Sequence, residues 1–382
     1  FPAVLGLWIL SWRLMTTMKH DARRTLPGRA KNPGSDEKSD NDPGAPGNVA
    51  KYDDNSYHVV TSSAANQTAV LDGFTIRGGN ANDPNPSVNK GGGLFVPTGH
   101  PTMRNCRFEK NRATRGGAVY HGATQVSLYE NCVFSDNLGD NDSGAIRNDG
   151  SIRLVGCDFI GNTTAGGAGG FHNTNAGASL LAELVNCRFL GNSAGYGGGF
   201  QNQNGSHAVL RNCVFSGNSA SNLGGAIWCF TNPDQPQSNL TLSNSTVVDN
   251  IAGTEGGGLF NNNTGGGSAA TISNCIFWGN SDTGGTGAAA QIRTVGSAVT
   301  TVSYSDVSGS HAGSDNIDSD PLFVDADGPD NDAGTIDDDL HIPVWSPCVA
   351  AGDPAFVPQP GESDIDGQSR VMEYRVDMGD DE

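Results

Sequence analysis

Long apolar stretches are scarce in this sequence. The longest run, FPAVLGLWILSW at residues 1–12, is too short to span a bilayer, so we predict no transmembrane segment. A signal peptide would carry basic residues before such a run, whereas here they follow it. We therefore expect residues 1–56 to be a flanking segment and linker that belongs to a longer N-terminal part.

Charged residues and helical periodicity are also scarce. Only 16% of the chain is charged, whereas 54 of its 382 residues are glycine. This balance is typical of a glycine-turned β solenoid and unusual for a helical enzyme. Apolar residues do not recur with the period of about 3.6 residues that an amphipathic helix requires, which favours an all-β fold.

Basic residues are scarcer than acidic residues. The formal net charge is −19, and residues 315–382 alone hold 19 acidic and 2 basic residues. Because phosphate binding depends on clusters of Lys and Arg, we expect no nucleic-acid partner. The same count marks residues 310–382 as an acidic C-terminal cap or tail.

The sequence contains one short motif that recurs along the chain. A segment such as NCVFSGN is followed, six or seven residues later, by Gly, then Gly or Ala, and then an apolar residue. Adjacent copies start 25 to 32 residues apart. A fixed period of this size indicates a solenoid, in which each repeat buries its apolar face against its neighbours. The seven copies start at Asn105, Asn131, Gly156, Asn186, Asn212, Asn244 and Asn274.

The spacing inside one repeat predicts strands. Cys and Phe lie two positions apart, which places both side chains on the same face of a strand. We predict a right-handed single-stranded parallel β-helix, with three strands per coil and about nine coils over residues 57–309, followed by an irregular C-terminal cap. Asn and Gly tolerate the left-handed backbone expected at the corners. Stacked Asn amides are expected to hydrogen-bond along the ladder.

The eight cysteines raise the question of disulfides. Six share one repeat position, where a small buried apolar residue fits. Ser245 replaces Cys in one repeat, a change that a disulfide framework would resist. We therefore predict a ladder of reduced thiols, while Cys229 and Cys348 lie off the ladder and either pair or stay free. The ladder positions are Cys106, Cys132, Cys157, Cys187, Cys213 and Cys275.

The repeats resemble those of a known family. GGAI at residues 224–227 and FxxN at residues 108–111, 134–137 and 215–218 are similar to the repeats of polymorphic outer-membrane proteins. They also resemble bacterial right-handed β-helix proteins with a pectin-lyase-like fold. The endings SPCVAAGDPA and DIDGQSRVMEYRVDMGDDE look like the C-terminal segment of large secreted β-helix proteins. The resemblance implies an extracellular, cell-surface or outer-membrane location in a bacterium.

The residue after each apolar position of the Gly-led strand is predicted to point outward. Stacked coils would align these residues in one stripe, and aromatic rings interleaved with polar groups suit sugar rings. The alternative is that long loops cover these aromatic side chains and pack on them. The candidate substrate-binding residues are Phe95, Tyr120, Arg147, His172, Gln201, Trp228 and Phe260.

Catalytic signatures are weak. Lyases of this fold need Arg or Lys beside a uronate carboxylate and a base for its α proton, but Lys in the coils is limited to Lys90 and Lys110. Of the motifs expected in hydrolases of this fold, only His121-Gly122 occurs in the coils, where it is more typical of a turn. We therefore predict no catalytic residues. The main alternative, a polysaccharide lyase or glycoside hydrolase acting on acidic polysaccharide, needs charged groups converging on the stripe.

The acidic C-terminal segment suggests one further ligand and one structural role. Clusters such as DADGPDND from Asp325 and DDDL from Asp337 could bind Ca²⁺, but their spacing misses the EF-hand loop, and a solvated acidic loop is the alternative. We expect no other cofactor. The apolar content of HIPVWSPCVAAG from His341 predicts that it caps the open end of the solenoid.

These patterns together predict a secreted or cell-surface β-helix protein. We expect a structural, adhesive or glycan-binding module without catalysis, whose partner is a polysaccharide or a cell-surface glycan or protein. We also expect a monomer. A purely structural spacer, with its stripe covered by loops, is a third possibility.

Overall fold

The computed structural model describes residues 55–86, 88–174, 180–371 and 375–380. In these ranges, parallel strands stack coil upon coil into a β-helix with three sheets of nine strands and a fourth of seven. The predicted all-β parallel β-helix of about nine coils is confirmed. Its strands run from Val60–Thr61 to Asp306–Val307. The predicted flanking segment, residues 1–56, lies outside the described residues except for its last two positions.

Sheet I contains the Gly-led strands of the repeats, and like positions of successive coils are paired in register. Its last strand follows one short helix, Ala288–Gln291. The strands of sheet I are Val60–Thr61, Leu94–Val96, Val119–His121, Ile146–Asn148, Phe171–Asn173, Phe200–Gln203, Ile227–Thr231, Leu259–Asn263 and Ile292–Val295.

Sheets II and III flank the corner at which each Cys lies. The strands of sheet II are Val70–Asp72, Thr102–Arg104, Ser127–Glu130, Ile152–Val155, Ala182–Val185, His207–Arg211, Ser238–Ser243, Ser268–Ser273 and Val299–Ser303. The strands of sheet III are Thr75–Arg77, Arg107–Glu109, Val133–Ser135, Asp158–Ile160, Arg188–Leu190, Val214–Ser216, Thr246–Val248, Ile276–Trp278 and Asp306–Val307.

Sheet IV was not predicted: it adds a fourth strand to most coils, beyond the three strands per coil that the sequence indicates. It forms just after the closing Asn of each repeat, where the buried residues are small, such as Ala113, Ala220 and Ala252. Most of its strands have only two residues, too few for an alternating pattern to be recognised in the sequence. The strands are Asn80–Ala81, Arg112–Ala113, Leu138–Gly139, Thr163–Thr164, Ser193–Tyr196, Ser219–Leu223 and Ile251–Ala252.

Left-handed backbone marks the corners between sheets. The Asn before Cys adopts it, as at Asn212 with φ 53°, and Gly156 does so with φ 61° in the repeat that lacks this Asn. The first Gly of the Gly pair adopts it as well, as at Gly224 with φ 67°. The expectation is wrong for the closing Asn, because the residue before it takes the positive φ, as at Gly217 before Asn218.

The closing Asn residues instead form a continuous ladder inside the solenoid. Each amide nitrogen donates to the amide oxygen one coil on, with N···O distances from 2.8 to 3.1 Å. The predicted stacking of Asn amides is therefore confirmed, and it satisfies polar groups that the core would otherwise leave unpaired. Gln291 accepts the last of these bonds from Asn280 at 2.7 Å. The ladder comprises Asn111, Asn137, Asn162, Asn192, Asn218, Asn250 and Asn280.

Phenylalanine and cysteine form two more interior ladders. Phe189 stacks between Phe159 and Phe215, with ring centroids 4.5 and 4.6 Å away. All eight cysteines are buried and unpaired, so the predicted reduced ladder is confirmed, and Cys229 and Cys348 are also free thiols. Burial raises the pKa of the Cys275 thiol to about 12, which keeps this thiol protonated at neutral pH.

The C-terminal segment lies partly at the end of the solenoid, where Cys348 Sγ contacts Asp306 of the last strand at 3.2 Å, and partly along its side. Ile342 and Cys348 of HIPVWSPCVAAG pack beside Ile276 of sheet III, whereas Trp345 is 74% exposed. The segment continues back along the corner beside sheet III, where the amides of Asn186 and Asn212 donate to the carbonyls of residues 364 and 363 at 2.7 Å. Residues 314 and 317, which follow the last coil closely, form the bridges to its strands.

Candidate functional site

The seven predicted substrate-binding residues lie in one row across sheet I. Each is the second residue of a strand and is paired with the corresponding residue of the next coil. Neighbouring coils of a parallel sheet are about 4.8 Å apart. The row continues to Arg293, which pairs with Phe260. In order, the pairs are Phe95–Tyr120, Tyr120–Arg147, Arg147–His172, His172–Gln201, Gln201–Trp228 and Trp228–Phe260.

The members of the row differ in exposure. Phe95, Tyr120, Arg147 and Trp228 are half-buried, whereas His172 and Gln201 are 4% and 2% exposed and Phe260 is 3% exposed. The turn before each strand folds over the row. A Cβ atom on Gly167 of one such turn would lie 2.7 Å from both His172 Nδ1 and Gln201 Oε1. Part of the stripe, namely His172, Gln201 and Phe260, is therefore covered, as the alternative interpretation of the sequence predicts.

An aromatic patch remains partly accessible toward the C-terminal end of the row. It consists of Tyr196, Trp228 and Phe230, all half-buried. The Trp228 ring stacks with Tyr196 at a centroid distance of 4.6 Å and with Phe230 at 5.1 Å. The indole nitrogen of Trp228 donates to Asn262 Oδ1 at 2.9 Å, so its only polar group is satisfied and the ring is fixed in place.

A second aromatic group lies at the N-terminal end of the row. Phe95 stacks with His58 and Tyr120, with centroid distances of 4.8 and 5.6 Å. The ammonium group of Lys90 lies 4.5 Å from the centroid of the Tyr120 ring, a cation–π contact. Burial raises the pKa of Tyr120, and the charge of Asp149 raises it further. The hydroxyl therefore keeps its proton at neutral pH and donates to Asp149 at 2.9 Å.

Between the two aromatic groups lies an ionic cluster of Asp142, Arg147, Asp149 and His172. Arg147 Nη1 binds Asp142, and Arg147 Nε donates to Asp149 at 2.6 Å. His172 Nδ1 binds the other oxygen of Asp142. Burial alone would raise the pKa of Asp142, but the charges of His172 and Arg147 outweigh it and hold that pKa below its usual range. For the same reason Arg147 holds the pKa of Asp149 low, despite burial.

Two polar atoms beside this cluster have no partner. His172 Nε2 and Gln201 Oε1 are buried and make no hydrogen bond. Their residues occupy paired positions of adjacent coils, and Gln201 Oε1 lies under the Gly167 turn. Unpaired buried polar atoms are costly, and a water molecule shared by two of them is the usual remedy.

His121, of the His-Gly pair, points into the solenoid. Its ring nitrogens contact Asn148 Oδ1 at 3.0 Å and Ser127 Oγ at 2.8 Å, and its side chain is fully buried. Burial lowers its pKa to about 4. His121 therefore occupies an interior ladder, which Asn148 and Asn173 continue, rather than the outer face.

Sequence reasoning missed Asp142, Asp149 and Tyr196. Asp149 lies two positions after Arg147, a spacing that already places both side chains on one face of a strand. Asp142 lies in the turn before Ile146–Asn148, and Tyr196 ends the sheet IV strand Ser193–Tyr196. Tertiary contacts fix the position of both side chains over the row. The repeat pattern carries no signal for them.

The acidic clusters of the C-terminal segment make mainly internal contacts. Asp338 accepts from Ser216 Oγ at 2.8 Å and from the backbone of Gly334 at 2.7 Å. In the part of the chain that is described, no group of three His, Cys, Asp or Glu side chains could hold a metal ion. Calcium binding by this segment stays a prediction.

Comparison with known proteins gives one family match. Residues 212–229 match the Chlamydia polymorphic membrane protein repeat. This stretch contains one complete NCVFSGN and GGAI motif and includes Trp228. No curated protein matches the chain in sequence.

The repeat match and the parallel β-helix together support the predicted resemblance. They identify a β-helix repeat protein and indicate a bacterial surface or outer-membrane location. Among the described residues, no helix has the length and apolar character needed to cross a membrane.

Proposed function

We propose that this protein is exposed at a bacterial surface and binds a glycan on the outer face of sheet I without acting on it chemically. The aromatic patch carries the proposal, because it presents three nearly parallel rings beside amide groups. Sugar rings have an apolar face and hydroxyl edges, which aromatic rings and amides complement. On this proposal the solenoid acts as a rigid monomeric scaffold that displays the patch.

The position of Trp228 supports the same conclusion. Its ring is held by Tyr196, Phe230 and Asn262, so little conformational entropy would be lost when a ligand binds. Trp and Tyr are also enriched among the residues that dominate binding energies at protein interfaces.

The test is retention of the purified chain on a panel of immobilised neutral and acidic polysaccharides. Trp228→Ala should reduce retention on the ligand at least tenfold, which corresponds to about 1.4 kcal/mol of binding free energy. Trp345→Ala is the matched control, because Trp345 is exposed on the C-terminal segment, away from sheet I. Equal retention of Trp228→Ala and the unaltered protein, with circular dichroism unchanged, would refute a role for the patch.

The ionic cluster favours a second candidate function, a polysaccharide lyase or glycoside hydrolase acting on acidic polysaccharide. Two carboxylates, a guanidinium and a histidine converge there on the stripe, as such chemistry requires. Their charges are engaged with one another, which supports the first candidate. Unsaturated or reducing products from the same panel, abolished by Asp142→Asn, would establish the enzyme instead.

A further inference from the structure

The surroundings of the aromatic patch offer no unpaired cation. The polar side chains beside the patch on sheet I are amides: Gln201 pairs with Trp228, and Gln203 and Asn262 pair with Phe230. Within residues 193–206, 219–237, 251–267 and 281–298, which form these strands and their turns, the one Lys or Arg is Arg293, and it pairs with Glu255 at 3.2 Å. Asp234 lies on the exposed turn that follows Phe230. An anionic ligand group at the patch would therefore meet no unpaired cation.

The cation at the centre of the row is also unavailable. The Arg147 guanidinium binds Asp142 and Asp149, and its side chain is only 14% exposed. Both carboxylates have lowered pKa values and are ionised at neutral pH. A uronate or sulfate group that approached Arg147 would face two negative charges that already neutralise it, and desolvating an anion without a partner is costly.

The remaining cations of this face lie at its other end. Lys90 and Arg115 flank Tyr120, which is four coils from Trp228 along the row. Four coils correspond to about 19 Å. This separation exceeds the Debye length of about 8 Å at physiological ionic strength, so their charges are largely screened at the patch.

We propose that the ligand of the aromatic patch is a neutral sugar chain and that the patch discriminates against uronate and sulfated polymers. This inference rests on the proposed function, since it names the class of glycan that the same face binds. It makes the patch unlike a site for acidic polysaccharide, which would present free Arg or Lys beside the rings.

The experiment compares polymers that share a backbone and differ in charge. Retention is measured on fully methyl-esterified homogalacturonan against polygalacturonate, and on hydroxyethylcellulose against carboxymethylcellulose, within a panel of neutral glucans, xylans, mannans and galactans. Every neutral polymer that retains the chain should do so at least tenfold better than its acidic counterpart, and added salt should change neutral retention little. Equal or stronger retention on the acidic members overturns the inference but leaves glycan binding intact. Retention on no polymer of the panel refutes the proposed function itself.

A charge variant tests the physical cause. Glu255→Gln releases Arg293, which lies two coils from Trp228, about 10 Å along the row. At an ionic strength of about 0.01 M, where the Debye length is about 30 Å, retention on the acidic member of a retained pair should rise several-fold, while retention on the neutral member stays unchanged. Glu183→Gln is the control, because it releases Arg153 and Arg211 on sheet II. If Glu255→Gln leaves acidic retention unchanged, charge at the patch does not decide specificity and the inference fails.

Discussion

The interior of the solenoid and the outer face of sheet I use the same kinds of residue in opposite ways. Inside, Phe189 stacks on identical rings above and below, and Asn192 bonds to identical amides. Outside, Trp228 stacks on Tyr196, from a strand of sheet IV, and on Phe230, from its own strand. Repetition stabilises the interior, while the outer row changes in chemistry at every coil.

The difference teaches where specificity can reside in a solenoid. An interior position favours residues of similar size and polarity in each coil, because parallel coils place like positions directly above one another. The outer row of sheet I carries no such constraint, so an ionic cluster can lie between two aromatic groups on the same sheet. A ligand along this face would therefore meet a sequence of different subsites.

The largest expected effect separates interior from outer aromatic rings. Phe189→Ala should lower the free energy of unfolding by about 4 kcal/mol, because it removes a fully buried ring and leaves a cavity. Phe230→Ala should cost about 1 kcal/mol or less, since Phe230 is half-buried and its loss leaves no enclosed cavity. Urea denaturation of both variants provides the measurement. Similar losses for the two would mean that the outer ring is part of the core and would break the comparison.

Amides provide the next comparison. Asn192→Ala should lower the free energy of unfolding by about 3 kcal/mol, because the amide and backbone N–H of Asn162 lose their acceptor and two carbonyl oxygens lose a donor. Asn262→Ala, on the outer face, removes one bond from a half-buried indole and should cost about 1 kcal/mol.

Urea denaturation of Asn192→Ala and Asn262→Ala gives both values, and retention on the glycan ligand gives a second readout. Retention is measured without urea, at a pH and temperature at which both variants remain folded. Under these conditions Asn262→Ala should weaken retention on the glycan more than Asn192→Ala does. The reverse order in retention would place the ligand away from the patch.

The interior could be predicted from the sequence because its signals are local and repeated. The Asn before Cys indicated a corner at each copy, and Gly in its place at position 156 fits the same left-handed backbone. Six cysteines at one repeat position indicated a buried ladder better than any single cysteine could. Sheet IV escaped prediction because its strands are too short for periodicity to be detected.

The candidate site could be predicted only in part. The alignment of the seven outer residues follows from the repeat, but their exposure depends on turns that fold over them. Gly167 and Asp142 reach the row from turns whose course no local pattern specifies. Tyr196 likewise contacts Trp228 from the end of a sheet IV strand, where the register with the next coil is irregular. The binding surface is therefore defined by the irregular parts of a regular fold.

The smallest expected effect is a pH dependence that arises from one interior histidine. The pKa of His121 is lowered from 6.5 to about 4 by burial, so in the folded protein the ring stays neutral when the unfolded chain takes up a proton. The contribution of the neutral ring to the free energy of unfolding is fully present above pH 6.5 and is lost as the pH falls toward 4. At pH 4.5 the loss is about 2.5 kcal/mol. His121→Asn introduces the residue that the next coil carries in this ladder, Asn148.

The free energy of unfolding of His121→Asn should therefore fall less between pH 7 and pH 4.5 than that of the unaltered protein, by about this amount. Urea denaturation at the two pH values provides the measurement. The difference in free energy of unfolding between the variant and the unaltered protein at pH 7 serves as the internal control. An unchanged pH dependence would mean that His121 is protonated within the fold. The interior ladder would then tolerate a charge, and the contrast with the ionic cluster on the outer face would be weaker than the structure indicates.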